Sequence, residues 1–484
     1  MSISSPGVGS GLDINSIVTQ LVEVEKQPLK TLQTKAAKLE TQLSAFATVK
    51  SQLASLGDAA SDLLATDTWG AKTFSSSDTA AVTGTASSSS IASSFSMSVT
   101  QLASSQSART AAMTSTDTVG AAGTLSISIG VWSSGAFTAS LDSDEDGTVD
   151  DPISVSISST DTLSTVASKI NAADAGVTAV VVTSGTLQRL LIRSSETGED
   201  YGFQIKAYDD SSTEITDGTT GVGKFSYIAA ASGTSGLTQT QAGQDASIEV
   251  EGITITSSSN TVSDAVPGVT LKLLSTTSSD VQVTVGNDTD TIKTKITAFQ
   301  DAYNTLVSNL KTLTKYDATT KKAGDLQGDG TAVTLLSVLN SMVSATGPSA
   351  STTFSYLSDV GIQVQSSGLL TTSSSTLTTA FDSLDDLKTF FYNYGGTTAT
   401  NGLARRFRDF EWDANGVEGT LSLKNTALSE AITRNESSQD KFNLRIAEVQ
   451  KRLYKQYGGL DSRMGGLNGL SSFVSAQVAQ WNKK

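Results

Sequence analysis

The chain has 484 residues, enough for three or four domains, because a single hydrophobic core stops growing well below that length. Charged residues make up only 17% and hydrophobic ones 37%, and 48 acidic against 33 basic side chains leave a net charge of −15, which repels nucleic-acid backbones. Cysteine and histidine are absent, which excludes disulfides, zinc–sulfur sites and thiolate or Ser-His-Asp catalysis, so an enzyme is not expected.

Met1 to Ser10 carries neither a basic nor an apolar stretch, so no Sec-type signal is expected. No run approaches the roughly 18 apolar residues of a membrane span. Asp13 can cap a helix with Ile14, Ile17, Val18, Leu21 and Val22 on one stripe. Pro28 should end or kink it near Gln27. A second helix is expected to run to about Leu64, with Leu32, Ala36, Leu39, Leu43, Phe46 and Leu53 at coiled-coil spacing. After Val49 the register changes to Val49, Leu53, Leu56, Ala60 and Leu63.

From about Phe74 the period becomes two. Thr124 to Ile129 and Ile153 to Ile157 alternate, and further strands are expected at 177–183, 187–193, 202–208, 247–256, 269–274 and 281–285. A short helix, Leu163 to Ala172, sits among them. Ser and Thr at the alternate positions imply sheets wet on one face, hence antiparallel sandwiches or open barrels.

Helical spacing returns after Asp290 with Ile292, Ile296, Phe299, Tyr303, Leu306, Leu310 and Leu313. A helix near Ala332 to Met342 follows, then strand-like pieces at 359–371 and helical ones at 376–394. The last helices are expected from about Leu423 to Trp481. Because helix resumes after the strands, the β region is an insertion into a helical stalk. Leu32, Leu39, Leu43, Phe46, Phe442, Ile446, Val449 and Leu453 are the candidate packing residues of that stalk. Gly458, Gly459, Gly465, Gly466 and Gly469 interrupt the final pattern, and each costs about 1 kcal/mol relative to Ala in a helix. This end is therefore expected to be frayed in the free monomer and helical only against partners.

Three local constellations have a sharp and a plain reading. Asp142, Asp144, Asp146 and Asp150 occupy positions 1, 3, 5 and 9 of a loop with Gly147 at 6, which is how a calcium loop presents its oxygens. Position 12 is Ile153 rather than Glu and no helices flank the loop, so an acidic turn without a cofactor is the plainer reading, and calcium stays open. Arg405, Arg406 and Arg408, beside Asp409 and Glu411, are expected to form a solvated, salt-linked face. Tyr454, Tyr457, Phe473 and Trp481 read as a helix-packing seam rather than a binding stripe.

Gly11-Leu12-Asp13-Ile14-Asn15-Ser16-Ile17-Val18, followed by Glu25-Lys26-Gln27-Pro28-Leu29, resembles the N-terminal signature of the flagellar filament cap family, FliD. The resemblance continues through Thr100-Gln101-Leu102-Ala103, Ser259-Asn260-Thr261-Val262 and Phe299-Gln300-Asp301-Ala302-Tyr303-Asn304. It extends to Gly324-Asp325-Leu326-Gln327-Gly328-Asp329 and Arg452-Leu453-Tyr454-Lys455-Gln456-Tyr457. No single tetrapeptide is diagnostic, but the ordered series spans nearly the whole chain. Ile170-Asn171 before Gly176-Val177-Thr178-Ala179 resembles the flagellin hook motif, against the plain reading of a β-α-β connection burying Leu163, Val166 and Ile170.

The resemblance implies a multidomain α+β fold, with a helical, coiled-coil stalk made by both termini and inserted antiparallel β head domains. Residues 1–35 with 458–484 would be leg helices, disordered in the free monomer, and 36–73 with 288–457 the stalk. Residues 74–115 with 236–287 would form one β head domain, and 116–235 an outer, variable one. The expected function is to cap the flagellar filament as a homo-oligomer and promote folding and insertion of exported flagellin. Ile14, Ile17, Leu21, Leu467, Val474 and Val478 are the expected leg contacts. Flagellin, the hook-filament junction proteins and an export chaperone at the C-terminal helix are the implied partners. Location at the filament tip follows, by type III export without a cleaved signal. The alternative is a surface adhesin that binds mucin or glycans through its head.

Overall fold

The computed structural model describes residues 11, 13–140 and 151–482. The chain forms two compact units, one made of residues up to Trp69 and from Thr289 onward, the other running from Gly70 to Asp288. The helices, in chain order, are α1 (Ile14–Glu25), α2 (Gln27–Asp62), α3 (Thr66–Gly70), α4 (Leu163–Ala172), α5 (Thr289–Thr314), α6 (Gly330–Ser344), α7 (Ser374–Ala380), α8 (Leu384–Tyr392), α9 (Leu403–Asn415) and α10 (Thr420–Trp481). Among the described residues no helix is long and apolar enough to cross a membrane.

Lys26 separates α1 from α2 and Pro28 lies in the first turn of α2, where a missing N–H leaves no bond unmade. The helical core of the first unit gathers Phe46, Val49, Leu53 and Leu56 of α2 with Phe299, Tyr303 and Leu306 of α5 and Phe407 of α9. Phe299 and Phe407 meet edge to face at 5.1 Å, and Tyr303 lies 6.0 Å from Phe407 in the same manner. The Tyr303 hydroxyl donates to Asn340 Oδ1 and Gly368 O at 3.3 Å, and burial pushes its pKa up to about 12. Asp329 caps α6 by accepting from the Thr331 and Ala332 N–H groups, at 3.0 and 3.4 Å. It also pairs at 2.6 Å with Lys424 of α10, whose ammonium lies 5.3 Å from the centre of the Phe46 ring. The Asp329–Lys424 pair thus ties three helices together.

Arg405, Arg406 and Arg408 do not form the solvated face that their spacing predicts. Arg406 is buried, and its guanidinium donates to Asn401 O at 2.8 Å, Thr346 O at 2.8 Å and Ala399 O at 2.9 Å. Its work is to hold two loops by their carbonyls, and burial lowers its pKa from the ordinary arginine value. Arg405 lies over the rings of Tyr392 and Tyr394, and Arg408 pairs with Asp409.

The second unit is built on antiparallel strands around two cores. In the first, a five-stranded sheet runs in the order Lys72–Ser76, Val281–Asn287, Ser93–Gln101, Ala246–Val250, Ile253–Ser257. Its inward Met97, Val99, Ile248 and Val283 join a core with Val82 and Leu271 of a three-stranded sheet. Residues 247–256 are not the single strand expected. Glu251 and Gly252 both take positive φ, 49° and 81°, and fold the segment into a tight hairpin. In the second core, the strands Gly123–Ser133 and Gly202–Tyr208 lie in one sheet, and Val177–Ser184 with Leu187–Ser194 in another. Between Ile153–Ile157 and Val177–Ser184 runs α4, burying Leu163, Val166 and Ile170.

Side-chain amides close these structures where backbone ladders stop. Asn171 donates to Ala179 O at 2.8 Å and accepts from its N–H at 2.7 Å. Asn260 does the same to Ala103, at 2.8 Å both ways. Asn304 bridges Leu370 at 2.8 and 2.7 Å, and Gln106 bridges Phe203 at 3.1 and 3.0 Å. Each carboxamide matches one donor and one acceptor of a single residue, as a neighbouring strand does.

Charge divides unequally between the units. Of the 48 acidic and 33 basic residues, 23 and 8 lie between Gly70 and Asp288. The strand-rich unit therefore carries the whole net charge of −15, and the helical unit balances at 25 of each sign.

Candidate assembly surface

Asp13 caps α1 by accepting from the Ser16 N–H at 3.0 Å. Ile14, Val18 and Val22 form the buried stripe of that helix, packed in one cluster with Leu29 and Ile446 and flanked by Phe442, Leu453, Tyr454 and Tyr457 of α10. Of the expected leg contacts at this end, Ile14 faces its own chain, Ile17 is half-buried and Leu21 is exposed. Glu23 bonds Lys30 at 2.6 Å and Lys26 at 3.4 Å, and these ammonium groups hold its carboxyl below the usual range.

The stalk positions divide by depth. Phe46 is fully buried, and Leu39 and Leu43 pack against the same large core. Ile446 belongs to the smaller cluster near α1, with Phe442 and Leu453 at its edge. Leu32 and Val449 are half-buried.

Beyond Tyr457 the character of α10 changes. Leu467, Leu470, Phe473, Val474, Val478 and Trp481 are all exposed, Trp481 at 82%. Leu467, Val474, Val478 and Trp481 keep steps of seven, four and three, so they mark one side of the helix. An added Cβ at Gly458, Gly459, Gly466 or Gly469 meets nothing within 4 Å. The expected aromatic seam thus splits. Tyr454 and Tyr457 pack against the cluster at α1, whereas Phe473 and Trp481 stand uncovered.

Asp142, Asp144, Asp146 and Asp150, the calcium-loop candidates, lie outside the described residues. Sequence reasoning passed over the carboxamide bridges and the inward turn of Arg406. The bridged backbone lies 66, 97 and 157 residues away for Asn304, Gln106 and Asn260, beyond any local pattern.

A helical unit with an uncovered apolar stripe at one end, carrying an inserted strand-rich unit, defines a structural protein built for assembly. Residues 10–106 match the family model for the flagellar hook-associated protein 2 N-terminus and 243–469 that for its C-terminus, while 139–195 match the flagellin hook IN motif. Flagellar hook-associated protein 2 of Escherichia coli (strain K12) is 30% identical over 496 residues, covering 98% of this chain and 98% of that protein. The A-type protein of Pseudomonas aeruginosa is 28% identical, over 98% of this chain and 96% of its own. The crystal structure of the flagellar cap protein FliD D1-D2-D3 domains from Escherichia coli is similar with a TM-score of 0.60 at 28% identity, covering 80% of this chain and 99% of that one. The chain belongs to the flagellar hook-associated protein 2 family, the FliD filament cap proteins. These relatives are structural components of the flagellum rather than enzymes, and they lend no support to the adhesin alternative.

Proposed function

We propose that the protein caps the flagellar filament as a homo-oligomer and promotes the folding and insertion of flagellin exported beneath it. The observation that carries this reading is the uncovered stripe of Leu467, Val474, Val478 and Trp481, apolar surface that a free monomer gains nothing by presenting to water. Its natural partners are the other terminal helices of a filament tip, with Ile17 and Leu21 contributing from α1. In this reading residues 1–35 and 458–484 complete their order on assembly, the latter because a helix rich in glycine and short of packing is marginal in water. A chain that leaves through a narrow type III channel and folds outside benefits from such ends. An export chaperone covering the last part of α10 and a seat on the hook-filament junction proteins complete the scheme.

The test is removal of residues 455–484. The truncated protein is expected to remain folded and soluble, and cells relying on it are expected to lack filaments and to shed flagellin into the medium. Filament growth at the normal rate with the truncated protein overturns the assignment of legs.

A further inference from the structure

The strand-rich unit contains three arginines, Arg109, Arg189 and Arg193, and all three lie on one sheet face. Arg189, Leu191 and Arg193 alternate along the strand Leu187–Ser194, on the side opposite buried Leu190 and Ile192. The strand register sets Arg109 and Val180 on either side of Leu191, with Val182 beside Arg189 and Thr178 beside Arg193. Val180 and Val182 are 56% and 51% exposed, and Leu187 is exposed at the end of the same strand.

Residues two apart on a strand stand about 7 Å apart on one face, so three cations gather around one half-buried leucine. Each arginine is directly opposite an uncharged residue, Arg109 opposite Leu191, Arg189 opposite Val182 and Arg193 opposite Thr178, so their positive charges share the face without a cross-strand carboxylate. Among the described residues Lys169 pairs with Asp161 and Lys206 with Glu214, and none of the three arginines has a carboxylate partner. Arg193 Nε donates to the Ser105 hydroxyl, which is neutral. This is a basic, apolar-centred face on a unit whose remaining surface is strongly acidic.

We propose that the Arg109–Arg189–Arg193 face docks onto the carboxylate-bearing surface of the same unit in a second copy of the chain. The proposal rests on the homo-oligomeric cap and names the surface that joins neighbouring subunits. Charge complementarity selects this occupant. This unit has 23 acidic against 8 basic residues in each copy, so every copy carries the basic face together with an excess of carboxylates. A contact between two different patches is head-to-tail, the kind that closes into a ring when the rotation allows. Arginines around exposed Val180, Val182 and Leu187 also have the composition of an interface centre, where apolar burial and charge-assisted bonds reinforce each other.

The experiment compares the full-length wild type with R109E/R189E and with K72E/K272E, which makes the same change of charge elsewhere in the same unit. Sedimentation velocity over a concentration series, at low and raised salt, reads self-association, and thermal melting checks the fold. R109E/R189E is expected to weaken self-association about tenfold or more, K72E/K272E to match the wild type, and salt to weaken the wild type. The proposal is overturned if R109E/R189E associates like the wild type, whether or not it still supports filaments. An equal loss in K72E/K272E overturns it too, because total charge rather than the face would then be responsible. A wild type that stays monomeric at every concentration removes the oligomeric cap itself, a result distinct from failure of the face alone.

Discussion

The two parts of α10 share one backbone and differ in what supports it. Up to Tyr457 the helix buries Leu421, Leu428 and Ile446, and Lys424 reaches across to Asp329 and Phe46. After Tyr457 an added Cβ at Gly458, Gly459, Gly466 or Gly469 meets nothing within 4 Å, and Leu467, Phe473, Val474, Val478 and Trp481 are exposed, while Asp461 is buried. Glycines weaken only the far part, but most helical stability in proteins comes from packing, so the difference in contacts weighs more. The first part is therefore specified by its own chain, whereas the apolar side chains of the second are exposed.

The largest expected effect tests this contrast with one substitution made twice on the same helix. Leu421→Ala removes a side chain that is 1% exposed, and is expected to lower unfolding stability by about 2–5 kcal/mol. Leu467→Ala, at 60% exposure, is expected to stay within about 0.5 kcal/mol in the same urea titration while impairing filament growth. Equal losses of stability would mean that the far part of α10 packs on its own chain.

A smaller effect is expected where the supported part relies on polar closure. Asn304→Asp keeps the size of the side chain and removes the donor that meets Leu370 O, setting a carboxylate oxygen against that carbonyl. The expected loss is about 1–3 kcal/mol, measured by thermal unfolding. No loss would show that the hairpin around Leu370 needs no partner from α5. Because the bridge ties the strand pair Ile362–Val364 and Leu370–Thr372 to α5, hydrogen exchange should rise first at Leu370.

Much of this architecture was legible because it follows from period. Steps of three and four gave α2 and α5, alternation gave most strands, and Pro28 marked the break after α1. The hairpin at Glu251-Gly252 is marked in sequence only by a one-residue shift of phase, from Ile248 and Val250 to Ile253 and Ile255, and glutamate seldom takes positive φ. Three neighbouring arginines on α9 read alike in sequence, and only the loops around Asn401 and Thr346 decide that Arg406 turns inward. The leg residues were legible as apolar, but exposure is a property of neighbours. Ile14 and Leu467 look equivalent as sequence, yet one is buried in a cluster with Ile446 and the other is 60% exposed. The arginine face carried a faint signal, Arg-Leu-Leu-Ile-Arg at 189–193, whose meaning depends on Arg109 arriving from a distant strand.

The smallest expected effect reaches the glycines themselves. Gly458→Ala places a methyl group where nothing lies within 4 Å, so no clash opposes it, and Ala favours helix over Gly by about 1 kcal/mol. If the far part of α10 is marginal alone, that increment is comparable with its whole stability. Limited proteolysis should then slow markedly beyond Tyr457 while the melting of the packed core stays unchanged. An unchanged cleavage rate would show a leg already secure in the free protein, and the glycines would need another reason. A slower rate joined to weaker capping would give that reason directly, because under the proposed function a leg that threads, seats and releases works best when its helix is easily undone.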